Sequence, residues 1–168
     1  MTPLFNEQSR TQANVPICMR SQLLISMTTK ILPLRSELLD ISNCILDGTD
    51  ALMLTAETAV GEHPVECVAT MAAACLEAEA CVWTKQLFQD LVEKTTIPCD
   101  HTTSTAIASV LAAQRVVAAA IVVVTTSGKS AQAVSKYKPK CPIIAVTRYP
   151  VVARYLQLYR AVMPLIYE

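Results

Sequence analysis

Two short stretches carry residues suited to chemistry. Thr125-Thr126-Ser127-Gly128-Lys129-Ser130 sets four hydroxyls, one glycine and one lysine side by side. A turn of this kind that opens a helix gathers backbone N–H groups and the positive end of the helix dipole around an anion. The spacing is not that of a Walker A loop, because Val123 stands where the earlier glycine would be. On chemistry alone the stretch is either a phosphate cradle or a capped helix start with no ligand. Thr55, Glu57 and Thr58 form the second group, just past a short apolar run. Polar groups there match the C-terminal end of a buried strand, where α/β active sites gather. Glu57 is one carboxylate, without the paired arrangement of a divalent-metal site. His63 and His101 have no ligand partners at metal spacing, so no metal residues are assigned. No Ser/His/Asp or Cys/His nucleophilic arrangement can be argued from these positions.

The elements around these groups follow from pattern. Residues 4–12 read as a helix remnant and Val15 to Cys18 as a short strand. Ser36 to Leu46 reads as a helix with Leu39, Ser42, Ile45 and Leu46 on one side. Asp47-Gly48 is a turn signal. Ala51 to Leu54 has no polar alternation, as expected of a strand buried on both faces of a parallel sheet. Pro64 suits a first helical position. The helix it opens is expected to reach about Val92, with a stripe at Val65, Val68, Met71, Ala72, Cys75, Leu76 and Val82. Trp83 and Phe88 are expected as core anchors. Thr95 to Thr103 reads as a linker, and Ser104 and Thr105 as caps of a helix running to about Val117. A buried strand Ala119–Val124, a helix Ala131–Tyr137, a strand Pro142–Val146, a short helix opened by Thr147-Arg148-Tyr149-Pro150 and running to about Leu158, and a strand Val162–Tyr167 complete the chain. Alternating strands and helices argue for a parallel sheet with right-handed crossovers.

The residues from Leu46 to Pro64 resemble pyruvate kinases, whose pattern here runs L-D-G-x-D-x-x-M-L-S-G-E-T-A-x-G-x-x-P. Leu46, Asp47, Gly48, Asp50, Met53, Leu54, Glu57, Thr58, Ala59, Gly61 and Pro64 match without insertion. Ala56 replaces a glycine, and Val60 replaces a lysine that in the family reaches toward the nucleotide. Upstream, Ser21 falls on the family's active-site threonine and Gln22 on the glutamine after it. Ser26 and Met27 match as well, whereas Arg20 and Ile25 depart. Pro33, Arg35 and Glu37 match a loop that the family uses near a subunit contact; the alternative for that loop is a solvated helix start. Downstream, Ala119-Ala120, Val122-Val123, Thr125, Ser127 to Ala131, Val134, Tyr137, Pro139 and Pro142 to Arg148 match the family's C-terminal domain.

The resemblance implies an α/β chain. Residues 1–63 would be the last two strands of a (β/α)8 barrel, and residues 64–168 most of a three-layer C-terminal domain with a mainly parallel sheet. It implies phosphoryl transfer from phosphoenolpyruvate to ADP with Mg2+ and K+, in the glycolysis of the cytoplasm. Ser21 would be a weak catalytic position, with Thr55 and Glu57 as substrate-side support. Thr125, Thr126, Ser127, Gly128, Lys129 and Ser130 would grip a phosphate of a sugar bisphosphate effector. The enolate-stabilising lysine and the two metal carboxylates of the family lie on earlier barrel strands, so this chain is expected to lack them and to be inactive alone. The alternative is a non-catalytic protein that binds a phosphorylated ligand or pairs with itself or with intact kinase subunits.

Composition removes other classes. The chain has 168 residues, 52% of them hydrophobic and 17% charged, enough apolar surface for a core and too much for disorder. A formal net charge of zero gives no support to nucleic-acid or membrane-surface binding. The longest uncharged apolar run, Val116 to Val124, is far short of the ~20 residues of a membrane span. The N-terminus is too polar for a signal peptide. Seven cysteines without a C-x-x-C pair point to reduced thiols in the cytosol.

Overall fold

The structure, a computed structural model, describes residues 15–20 and 22–167; the expected helix at residues 4–12 and Ser21 lie outside them. Two compact units form, one over Ile17–Val82 and the other from Trp83 onward.

In the first unit, β1 (Cys18–Arg20) pairs in parallel with β2 (Ala51–Met53), Cys18 opposite Ala51. The strand starts later than the sequence suggests because the chain before it is held otherwise: the Asp50 carboxylate accepts from Ile17 N at 2.8 Å. A 3-10 turn (Ile25–Thr28) and α1 (Arg35–Leu46) connect the two strands. The apolar face of α1 is Ile41 and Ile45, one turn apart beyond buried Glu37. Leu39 and Leu46, expected on that face, are exposed. A short helix α2 (Ala56–Ala59) follows β2, then α3 (Pro64–Ala80). The core joins Leu23, Leu24, Met27, Ile41, Cys67 and Met71. The buried face of α3 therefore runs through Cys67, Met71 and Ala78, and Val65, Val68 and Leu76 of the expected stripe face solvent. Met53 is also exposed, so β2 is not covered on both faces among the described residues.

The long helix expected from Pro64 is two helices. It stops at Ala80, and α4 (Thr84–Glu93) begins after Trp83, whose backbone is non-helical. Cys81-Val82-Trp83 is a run of low helix propensity, which favours the break there. Trp83 is 76% exposed, not a core anchor, whereas Phe88 is buried against Tyr137. The division between units thus falls at Val82–Trp83, later than the 63/64 boundary read from the sequence, because α3 packs on α1.

In the second unit, α5 (His101–Val116) is capped by Asp100, four residues before the expected cap Ser104, and the Asp100 carboxylate accepts from Thr103 N. Then come β3 (Ile121–Val124), α6 (Lys129–Lys136), β4 (Ile143–Thr147), α7 (Pro150–Leu156) and β5 (Val162–Ile166). The sheet order is β3-β4-β5, all parallel, with Ile121 opposite Ile143 and Ile143 opposite Val162. Ile143, Ala145 and Val162 point into a core with Val110, Val134, Tyr137 and Leu156. Val122 and Val124 on the other face are 65% and 80% exposed, so β3 is buried on one side only.

Val117 ends α5 in the left-handed region, at φ 51°. A β-branched residue there is strained by ~1–2 kcal/mol, and its side chain is exposed. Val117→Gly is expected to raise stability by about 1 kcal/mol in urea unfolding followed by circular dichroism; no gain would show that the left-handed cap carries no strain.

Candidate functional site

The group after β2 is built around Glu57. Its side chain is fully buried and accepts three hydrogen bonds, from Thr55 N at 2.8 Å, Thr55 Oγ1 at 3.2 Å and Leu24 N at 3.4 Å. Burial pushes this carboxyl up, but the donors, its own backbone N–H included, outweigh burial and hold it below the usual glutamate range. Gly61 lies so close that a Cβ there would stand 2.3 Å from the Glu57 carbonyl oxygen, so only glycine fits. Thr55 and Glu57 are therefore brought together, but as a latch between β2 and the segment at Leu24.

A second carboxylate repeats the device. Glu37 is 6% exposed and accepts from Ser26 N at 2.8 Å, Leu34 N at 2.9 Å and the Ser26 hydroxyl. Burial raises its pKa, the Ser26 and Leu34 donors overcome that, and the net displacement is downward. Reading Glu37 as a solvated or subunit-contact residue is thus corrected: it closes over the 3-10 turn from within. The signal in the sequence was its place in the first turn of a helix, where a glutamate reaches back to the N-cap N–H. Among the described residues no group of three or more His, Cys, Asp or Glu is placed to hold a metal. With both glutamates engaged by backbone donors, the described residues do not fit a divalent-metal site.

The second group stands in the other unit, at the C-terminal end of β3. Thr125 is buried, donates its N–H to the Val146 carbonyl at 2.9 Å, and its Oγ1 accepts from Gly128 N at 2.9 Å. Gly128 has φ 85°, and a Cβ there would come within 3.2 Å of Leu156. This glycine turns the chain into α6, which opens at Lys129, two residues before the expected start. Lys129 and Ser130 thus supply first-turn N–H groups that no helical carbonyl can satisfy. Thr126, Ser127 and Lys129 are exposed and Ser130 half-buried, so the hydroxyls and the ammonium stand around those donors. The arrangement can hold an anion.

Two family descriptions match this chain: the pyruvate kinase barrel domain over residues 6–68 and the pyruvate kinase alpha/beta domain over residues 103–168. The chain belongs to the pyruvate kinase family. It is 43% identical to pyruvate kinase 2 of Candida glabrata over 93% of its own length and 31% of that protein. It is 46% identical to pyruvate kinase PKLR of Homo sapiens, covering 27% of it. The crystal structure of a pyruvate kinase from Cryptosporidium parvum superposes with a TM-score of 0.93 at 34% identity, over 96% of this chain and 32% of that one. The chain thus spans less than a third of the length of these relatives. No helix among the described residues is long and apolar enough to cross a membrane.

The two carboxylates make acid stability testable. A carboxyl lowered in the folded state contributes stability that is present above its unfolded pKa, about 4.3, and lost as pH falls through the lower folded value. Glu57→Gln is expected to cost about 2 kcal/mol at pH 7, because an amide cannot accept all three donors. The Glu37→Gln/Glu57→Gln variant is expected to lose less stability than the parent between about pH 5 and pH 3. Parallel slopes in urea melts across that range would contradict both assignments.

Proposed function

We propose that this chain belongs to a pyruvate kinase whose activity, phosphoryl transfer from phosphoenolpyruvate to ADP giving pyruvate and ATP, resides in a longer polypeptide. Glycolysis in the cytoplasm, with Mg2+ and K+, is the setting the family implies. The part in hand contributes barrel scaffold and an effector phosphate cradle. The observation that carries this reading is the Thr125–Ser130 turn: a left-handed glycine braced by a threonine hydroxyl, with free helix-start donors beside a lysine. Such chemistry suits one phosphate of a sugar bisphosphate.

Phosphoryl transfer needs cationic clamps and metal around the transferred group. Among the described residues no group of three or more His, Cys, Asp or Glu is placed to hold a metal, and Val60 stands in place of the nucleotide-side lysine. These two facts favour a second reading, a non-catalytic protein that binds a phosphorylated ligand or pairs with intact kinase subunits. Assay of the 168-residue chain with phosphoenolpyruvate, ADP, Mg2+ and K+ is expected to show no ATP formation. Turnover above background would overturn the assignment of activity to a longer chain.

Fructose 1,6-bisphosphate is expected to shift the amide resonances of Ser127, Gly128 and Ser130 at ligand concentrations near 1 mM, about 4 kcal/mol of binding. Lys129→Ala/Ser130→Ala is expected to abolish the shifts, and added salt to weaken them. Resonances that stay fixed, or move equally in the double variant, would make the turn a helix start only.

A further inference from the structure

A thiol, a carboxylate and an amine gather around one buried ring at the end of α6. Tyr137 follows this helix and is fully buried, with its hydroxyl 3.1 Å from Thr95 Oγ1. The Thr95 hydroxyl gives its own hydrogen to Leu91 O, so the phenol donates to it. That bond ties the segment between α4 and α5 to the end of α6. Cys99 and Asp100, farther along the segment, both bear electrostatically on the Tyr137 phenol. Lys136, in the last turn of α6, sets its ammonium 5.9 Å from the centre of the same ring. Asp100 acts on that ammonium as well. The thiol and the amine differ in access: Cys99 is exposed and Lys136 half-buried. Burial lowers the Lys136 pKa more than the Asp100 carboxylate raises it, so more of this amine is neutral and nucleophilic than in a solvated lysine.

We propose that Cys99 and Lys136 form an acyl relay, in which Cys99 accepts an acyl group from a soluble acyl thioester and Lys136 takes it over as an amide. In the first step the Cys99 thiolate adds to the thioester carbonyl and the donor's thiolate leaves, so one thioester replaces another. In the second, the neutral Lys136 amine attacks the Cys99 thioester. The C–N bond forms, the C–S bond breaks, and the departing thiolate takes the proton that the nitrogen sheds. No electrons are exchanged with an outside reagent, and the free thiol is restored. The exposures fit this order. A thiol is the readier nucleophile, and the exposed one meets the carrier. The half-buried amine then reacts with what its neighbour delivers, at the high local concentration that proximity supplies. Lys138 and Lys140 follow on the same loop, and residues 101–167 contain no aspartate or glutamate, which suits a donor with an anionic carrier. The relay stands apart from the phosphate cradle.

Acetyl-coenzyme A serves as the probe, with site occupancy on the 168-residue chain read by peptide mass spectrometry. Lys136 is expected to be acetylated about tenfold faster in the parent than in Cys99→Ser, while Lys138 is labelled equally in the two. Acetic anhydride, which needs no thiol, is expected to label Lys136 alike in both. In Lys136→Arg the acetyl group is expected to stay on Cys99 as a thioester that neutral hydroxylamine removes. Equal labelling of Lys136 by acetyl-coenzyme A in the parent and in Cys99→Ser overturns the relay. So does an anhydride reaction that falls in step in Cys99→Ser, which would mean that Cys99 only governs access to the amine. A Lys136→Arg chain that carries no thioester, or a parent whose Lys136 takes no acetyl group, refutes it as well.

Discussion

Parallel strands cannot be joined by a tight turn, so each pairing in this chain demands a crossover that carries the polypeptide back to the starting end. Between β1 and β2 that work falls to the 3-10 turn and α1; between β3, β4 and β5 it falls to α6 and α7. Within each unit all strands then finish at one rim. The loop at Thr55–Glu57 and the loop at Thr125–Ser130 hold equivalent addresses, each beyond the C-terminal end of a strand. Ligand sites of α/β proteins gather at such rims, and two stretches unlike in sequence occupy them.

The rims solve the same local problem with opposite results. Chain leaving a strand has backbone N–H groups without ladder partners, and burial makes them costly. In the first unit two glutamates absorb them: Glu57 takes those of Thr55 and Leu24, and Glu37 those of Ser26 and Leu34. The result is a closed latch in which these backbone donors are engaged within the protein. In the second unit Thr125 Oγ1 takes only the Gly128 N–H, and the donors of Lys129 and Ser130 stay open. Chemical potential for an anion therefore remains at one rim and is spent internally at the other.

Element type was legible where local chemistry decides it. The helix after Arg35, the turn at Asp47-Gly48, the helix opened by Pro64 and the three C-terminal strands all follow from caps, turn residues and apolar runs. Burial was less legible. Met53 belongs to a run that reads as covered on both faces and Val122 to one that reads as buried, yet which face is covered depends on what packs there, not on the strand's own residues. Glu57 was singled out for its place beyond a strand, and its engagement with Leu24, thirty-three positions earlier, is a contact no local pattern encodes. The resemblance to pyruvate kinases located both rims, while the latch at Glu37 needed the fold. Trp83 misled because a large aromatic residue is a strong prior for a core, and the weak helix formers around it were the better clue.

That tryptophan has a practical consequence. It is the chain's one indole, and it sits in water at the break between α3 and α4. With the ring 76% exposed, its emission in the folded chain is expected to be that of a solvated indole, which leaves the usual red shift on denaturation little room to occur. Intrinsic fluorescence would report the helix break and stay nearly silent while either core melted. A flat emission trace would then be misread as the absence of a cooperative transition. The tyrosines offer the better optical handle: Tyr137 is enclosed beside Phe88, and Tyr159 is held edge-on to Tyr155, so near-ultraviolet dichroism would register the loss of packing that the indole does not see.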